Sequence, residues 1–258
     1  SIRGLAAPLR MMLSASRVPH WVAMYHVKEV QPEGWDKESW YKDKAWMSEE
    51  YNPFANLPFL IDTQTKIIIC QTNAIYSYLG KELNMLGSNK IEAAKCEELL
   101  CEIYDLRNVM VGFAYNKSVS GDTAKKCLKS GIIHFQKFER HLQNYTGRSK
   151  GFLVGKRLTA PDFHLFEMYF QFDSLSKYYK IDDIALEKIL PLLAENFQTF
   201  QSLKENQMYL NSSDLYTNLP FNNPYALFGS DSVTNGIYQR GKGVTKEIGT
   251  ILLEFDRK

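Results

Sequence analysis

Apolar positions first cluster at 5–15, a run of Leu, Met and Ala whose one irregularity is Pro8. A proline in the first turn of a helix forfeits no hydrogen bond, so the run predicts a helix. Residues 21–27 are rich in β-formers and predict a strand; 31–52 is polar and aromatic, with Trp35, Trp40 and Trp46, and predicts a loop with a short helix. An apolar run at 57–61 is broken by Pro58, which has no N–H to give a sheet and marks an edge, a strand start or a bulge. The β-branched Ile67, Ile68 and Ile69 suit a buried strand. Gln71-Thr72-Asn73 then leads into an apolar stretch at 74–79, with Thr72 as the expected helix N-cap. Helix, strand, loop, strand, strand, helix is half of an α/β sandwich without its first strand.

Beyond a polar hinge at 87–90 the period changes. Cys96, Leu99, Leu100, Ile103, Leu106, Met110 and Phe113 fall at helical spacing, and a further helix is expected at 123–142. Thr159-Ala-Pro-Asp162 reads as a capping box with Asp in place of Glu, Pro161 in the first turn and Leu158 placed for a hydrophobic staple. The nearly unbroken apolar run 163–179 should be the central helix of an all-α half, followed by shorter helices near 184–194 and 196–205. The expected division is an α/β unit at 1–84, a helical unit at 88–228 and a glycine-bearing extension at 229–258, whose role composition does not reveal.

With 258 residues, 45% hydrophobic and 23% charged, the chain has the composition of a globular protein with a sizeable core. The net charge of +2, with Lys and Arg interleaved among acids, sets nucleic-acid binding aside. No apolar run approaches the roughly 18 residues of a membrane span. Cys70, Cys96, Cys101 and Cys127 lack metal-ligand spacing and read as reduced, buried thiols, and the five histidines show no i, i+4 pair, so no metal is expected. Gly241-Lys242-Gly243 is too short for a phosphate loop. The first 28 residues carry Arg3, Arg10 and Arg17 without an acid, a composition shared by organellar transit peptides and by a folded basic helix.

The candidate chemistry lies between 54 and 75. A helix N-terminus offers free N–H groups to a carboxylate, an open strand backbone near Pro58 can pair with a peptide, and Lys37, Lys42 and Lys44 stand among tryptophans. Together these suit a small peptide acid.

Asn56-Leu57-Pro58-Phe59-Leu60-Ile61-Asp62, Gln71-Thr72-Asn73-Ala74-Ile75 and the upstream Ile2-Arg3-Gly4-Leu5-Ala6 resemble the motifs of mu-class cytosolic glutathione transferases, and the likeness extends over roughly 1–228. The resemblance implies a thioredoxin-like α/β N-terminal domain, an all-α C-terminal domain, a homodimer, and glutathione as co-substrate for detoxifying conjugation to a small hydrophobic electrophile. It further implies a cis bond before Pro58, with the Leu57 backbone pairing with the cysteinyl residue of glutathione and Asn56 nearby. Gln71 and Thr72 would hold the γ-glutamyl group; Trp40, Lys44 and Lys37 would contact the glycyl end, Lys37 standing where arginine is common. Asp105 would reach across the dimer, Phe54 would be the key inserted into the partner, and Tyr115 would assist the electrophile. Ile2, Leu5, Arg107 and Val111 would line the hydrophobic pocket.

By the same resemblance the thiol-activating tyrosine and the first strand are expected upstream of Ser1. The alternative expectation is a non-catalytic transferase-like subunit docked to a larger complex through 229–258. The expected compartment is the cytoplasm, with the mitochondrion as the alternative.

Overall fold

A computed structural model describes residues 2–23, 25, 28–30, 34–145, 149, 151–211, 220–221, 226 and 228–229. A 3-10 turn at Gly4–Ala6 runs into α1 (Ala7–Ala15), with Pro8 in its first turn as expected. Its faces are buried almost all round, against α3, α6 and α9.

The strand expected at 21–27 does not form among its described residues; 24, 26 and 27 lie outside them. Instead β1 (Lys28–Val30) pairs antiparallel with β2 (Gly34–Asp36), Lys28 opposite Asp36 and Val30 opposite Gly34. The short helix expected within the 31–52 loop is the 13-residue α2 (Glu38–Glu50). Its only buried residue is Met47, which is why no apolar period announced it. Asp36 Oδ1 accepts the N–H of Glu38 (2.9 Å) at its start, and Glu38 itself complements the helix dipole.

β3 (Phe59–Ile61) and β4 (Ile68–Cys70) form a second antiparallel pair, Phe59 opposite Cys70 and Ile61 opposite Ile68. Their turn is organised by Asp62, whose Oδ1 accepts the N–H groups of Gln64 (2.7 Å) and Thr65 (3.2 Å). α3 (Thr72–Glu82) follows at once. Its N-cap is Gln71 rather than Thr72, because the chain turns one residue earlier, through a positive φ of 71° at Gln71, and Thr72 is already helical.

The helical half consists of α4 (Lys90–Ala114), α5 (Gly121–Asn144), α6 (Ala160–Tyr178), the short α7 (Leu186–Ile189), α8 (Pro191–Ser202) and α9 (Lys204–Leu210). Asn89 caps α4 by accepting from the N–H groups of Ile91 and Glu92, both at 3.0 Å. The Thr159–Asp162 box forms as read: Asp162 Oδ2 accepts from Thr159 N (2.8 Å) and Oγ1 (2.7 Å), while Oδ1 accepts from Leu153 N (2.9 Å) and ties in the preceding loop. Nothing is described of 230–258, so the expected extension lies outside the described residues.

α6 is the axis of the molecule, buried along nearly its whole length and packed on α1, α4, α5 and α8. One core joins α4, α5 and α6 through Ile103, Leu106, Met110, Phe135 and Phe172. A second joins the two halves through Met11, Met12, Ile75, Tyr76, Leu100, Phe163, Phe166 and Phe200. Phe200 stacks on Phe166 at 4.3 Å and meets Phe163 edge-on at 5.2 Å. Each such ring contributes roughly 1.5–3 kcal/mol by burial, so α8 is held to α6 mainly by its aromatics.

Candidate functional site

A cleft of about 1160 Å³ runs along the junction of the two halves, bounded by the start of α1, by β3 and its turn, and by α4 and α6. Of the expected site residues it brings together Ile2, Leu5, Leu57, Arg107, Val111 and Tyr115. Ile2 and Leu5 enter from the turn before α1, Arg107 and Val111 project one helical turn apart from α4, and Tyr115 caps that helix and packs edge-on against Phe221 (5.7 Å).

The Leu57–Pro58 peptide is cis, as the resemblance implies. Asn56 Oδ1 accepts the N–H of Leu57 at 3.0 Å, and both residues are exposed. Gln71 is exposed and Thr72 buried at the β4–α3 junction, where Thr72 is the first helical residue. Lys37 is the N-cap residue of α2, and Trp40 and Lys44 lie a turn apart along that helix. The Trp40 ring stacks on Phe59 of β3 (6.3 Å) and leans on Tyr25 (5.0 Å), which fixes α2 against the β3–β4 pair. Tyr25 donates to Asp43 (2.7 Å) and, with burial the larger cause, its hydroxyl is held protonated far above the ordinary range. Asp105 is exposed on α4, and Phe54 is 69% exposed beside Asn52, whose Oδ1 accepts its N–H. Lys37, Trp40, Lys44, Phe54, Asn56, Gln71, Thr72 and Asp105 do not line the cleft.

The floor of the cleft is polar, and sequence reasoning missed most of it. Arg3 and Glu167 form an ion pair with both side chains about 1% exposed; Arg3 Nε also donates to Glu167 Oε1 (3.2 Å), and Gln171 donates to the same oxygen (2.8 Å). Arg3 lies 4.4 Å over the Phe170 ring. Arg10 donates to the carbonyls of Arg3 (2.9 Å) and Ile2 (3.3 Å), bracing the turn. His164 stacks on Tyr76 at 4.9 Å, and burial first, then the charge of Arg107, pushes its pKa down to about 3, so the ring is neutral. A glutamate and a histidine inside the apolar run 163–179 were the available signal: a polar residue amid a buried helix needs a partner.

Of the four thiols, Cys70, Cys96 and Cys127 are buried as expected, and burial pushes Cys96 and Cys127 up to about 12, which makes them inert. Cys101 is exposed, contrary to expectation, because it falls on the outer face of α4. Among the described residues no group of three or more His, Cys, Asp or Glu is placed to hold a metal ion, and no helix is long and apolar enough to cross a membrane.

The family described as Glutathione S-transferase, C-terminal domain, matches residues 104–213. The chain is 26% identical over 232 residues to Glutathione S-transferase Mu 5 of Rattus norvegicus, covering 90% of this chain and 94% of that protein. It is 29% identical over 229 residues to the class-mu 26 kDa isozyme of Schistosoma mansoni, covering 88% and 93%. The crystal structure of the glutathione S-transferase Blo t 8 superposes with a TM-score of 0.72 at 18% identity, over 88% of this chain and 96% of that one.

Proposed function

We propose that this chain, which has the glutathione transferase fold and resembles the mu-class enzymes in sequence, binds glutathione and conjugates its thiolate to a small hydrophobic electrophile. The observation that carries the reading is Gln71. A non-glycine residue at φ 71°, ψ 117° costs on the order of 1–3 kcal/mol, and such strain persists where a site needs it. Here it turns the chain out of β4 straight into α3, at the end of the hairpin in which Cys70 pairs with Phe59, two residues after the exposed Leu57.

In this reading Gln71 and Thr72 take the γ-glutamyl carboxylate at the helix N-terminus, Leu57 takes the cysteinyl backbone, and Lys37, Trp40 and Lys44 on α2 take the glycyl carboxylate. Asp105 and the exposed Phe54 act across a homodimer. The electrophile lies against Ile2, Leu5 and Val111, with Tyr115 at the rim donating to the developing charge. The thiolate is the reacting form.

We place the protein in the cytoplasm by its resemblance to the mu-class enzymes. Arg3 and Arg10 are buried parts of the fold, one paired with Glu167 and the other bracing a turn, unlike the exposed arginines of a transit peptide.

The test is calorimetric titration of the full-length protein with glutathione, paired with conjugation of 1-chloro-2,4-dinitrobenzene. Binding that weakens about tenfold in Thr72→Ala, together with turnover, supports the reading. Glutathione binding without turnover removes the enzyme assignment, and no binding removes the site.

A further inference from the structure

We propose that the floor of the cleft, lined by Arg107 of α4 and His164 of α6, is an anion subsite that takes the carboxylate of an acidic electrophile. The inference rests on the transferase reading above and carries it to a substrate class.

Arg107 is a cation in search of an anion. Its guanidinium lies 4.3 Å over the Tyr104 ring and donates to the neutral amide of Asn108 (3.0 Å). Its Nε is enclosed and makes no hydrogen bond, and no carboxylate among the described residues pairs with it. A half-enclosed charge without a counter-charge is unfavourable, and a ligand carboxylate would relieve it.

His164 supplies the second group. It is 2% exposed yet lines the same cleft, and among the described residues neither its Nδ1 nor the hydroxyl of the stacked Tyr76 has a partner. Arg107 on α4 and His164 on α6 line the cleft from two helices packed on each other, and Tyr76 stacks on His164. A neutral imidazole keeps one N–H to donate, so Arg107 and His164 together bring a charge and a donor to the wall of the cleft.

The surrounding charges favour an anion. Glu167, the acid on this floor, is neutralised by Arg3 and donated to by Gln171. Arg10 brings a further positive charge, 6% exposed, whose partners are carbonyl oxygens. The other acids lining the cleft, Asp62 and Glu82, lie on the β3–β4 turn and α3. The apolar Ile2, Leu5 and Val111 beside this floor suit the body of an aromatic acid.

The probe is 4-chloro-3-nitrobenzoate, set against its neutral amide. In either, the glutathione thiolate attacks the chlorine-bearing carbon, the C–S bond forms, and chloride leaves with the C–Cl electron pair; the thiol proton has gone to solvent and the carboxylate takes no part. The full-length protein is expected to show a lower KM for the benzoate than for the benzamide. Arg107→Gln should raise the benzoate KM about tenfold more than the benzamide KM, with Arg107→Lys keeping most of the preference. Calorimetric binding of the unreactive 3-nitrobenzoate should follow the same order. A preference for the amide, or equal shifts for both electrophiles, overturns the proposal. Turnover of neither electrophile, with 3-nitrobenzoate still bound through Arg107, removes the transferase reading and leaves the subsite. Turnover with 3-nitrobenzoate binding indifferent to Arg107 does the reverse.

Discussion

The guanidinium of Arg3 and the carboxylate of Glu167, 164 positions apart, are locked together out of solvent, tying the turn before α1 to the middle of α6. The pair joins the α/β half to the helical half at the floor of the cleft. Its carboxylate is further satisfied by Gln171, and its guanidinium is capped by Phe170.

Breaking that pair from one side leaves a buried charge alone. Arg3→Met or Glu167→Leu should each lose about 3–5 kcal/mol of unfolding free energy, whereas the double replacement should lose far less than the sum. Urea denaturation of the four proteins measures the coupling; strictly additive losses would show that the pair does not act as a unit.

Helix α5 approaches α6 at Gly131, where an added Cβ would run into the ring of Phe172. Gly131→Ala should therefore destabilise by about 1–3 kcal/mol through overpacking. Gly112, in the last turn of α4 region with open space around it, is the control: Gly112→Ala should stabilise by roughly 0.5–1 kcal/mol. Thermal unfolding of the two variants gives opposite signs if the packing argument holds, and a neutral Gly131→Ala would contradict it.

Stability should also carry the signature of His164. Its pKa is about 3 when folded and near 6.5 when unfolded, so between these values the unfolded chain binds more protons and stability falls as pH falls. Asp162 acts oppositely: burial lifts it from 3.8 to about 6, so the folded chain holds its proton longer and gains as pH falls through that window. His164→Phe keeps a ring on Tyr76 and isolates the first effect. From pH 7 to 5 the wild type should lose about 2 kcal/mol relative to this variant. Denaturation curves at several pH values test it, and a difference independent of pH would refute the assignment.

What was legible depended on range. The Thr159–Asp162 box closes over three residues, and its pattern alone specified it. The β3–β4 hairpin and the start of α3 were likewise written in Pro58, the isoleucine run and Gln71-Thr72, with the N-cap displaced by one position. Helix α2 was legible only as a short helix within a loop and not in its full 13 residues, because a helix that buries only Met47 has no apolar period to read. β1 was expected too early, since a short strand sits where its partner lies, and the partner was Gly34–Asp36.

By itself the sequence determined an α/β half followed by a helical half, with α6 as the axis, because burial imposes a 3.6-residue period on helices and local caps fix their ends. It also determined the helix start at Gln71-Thr72, because those residues are neighbours in the chain. Only the tertiary structure decided that Arg3 meets Glu167, that His164 stacks on Tyr76 and that Arg107 stands without an acid partner among the described residues. Those contacts join α1, α3, α4 and α6, and no local pattern records which side chain will be packed against which across such separations.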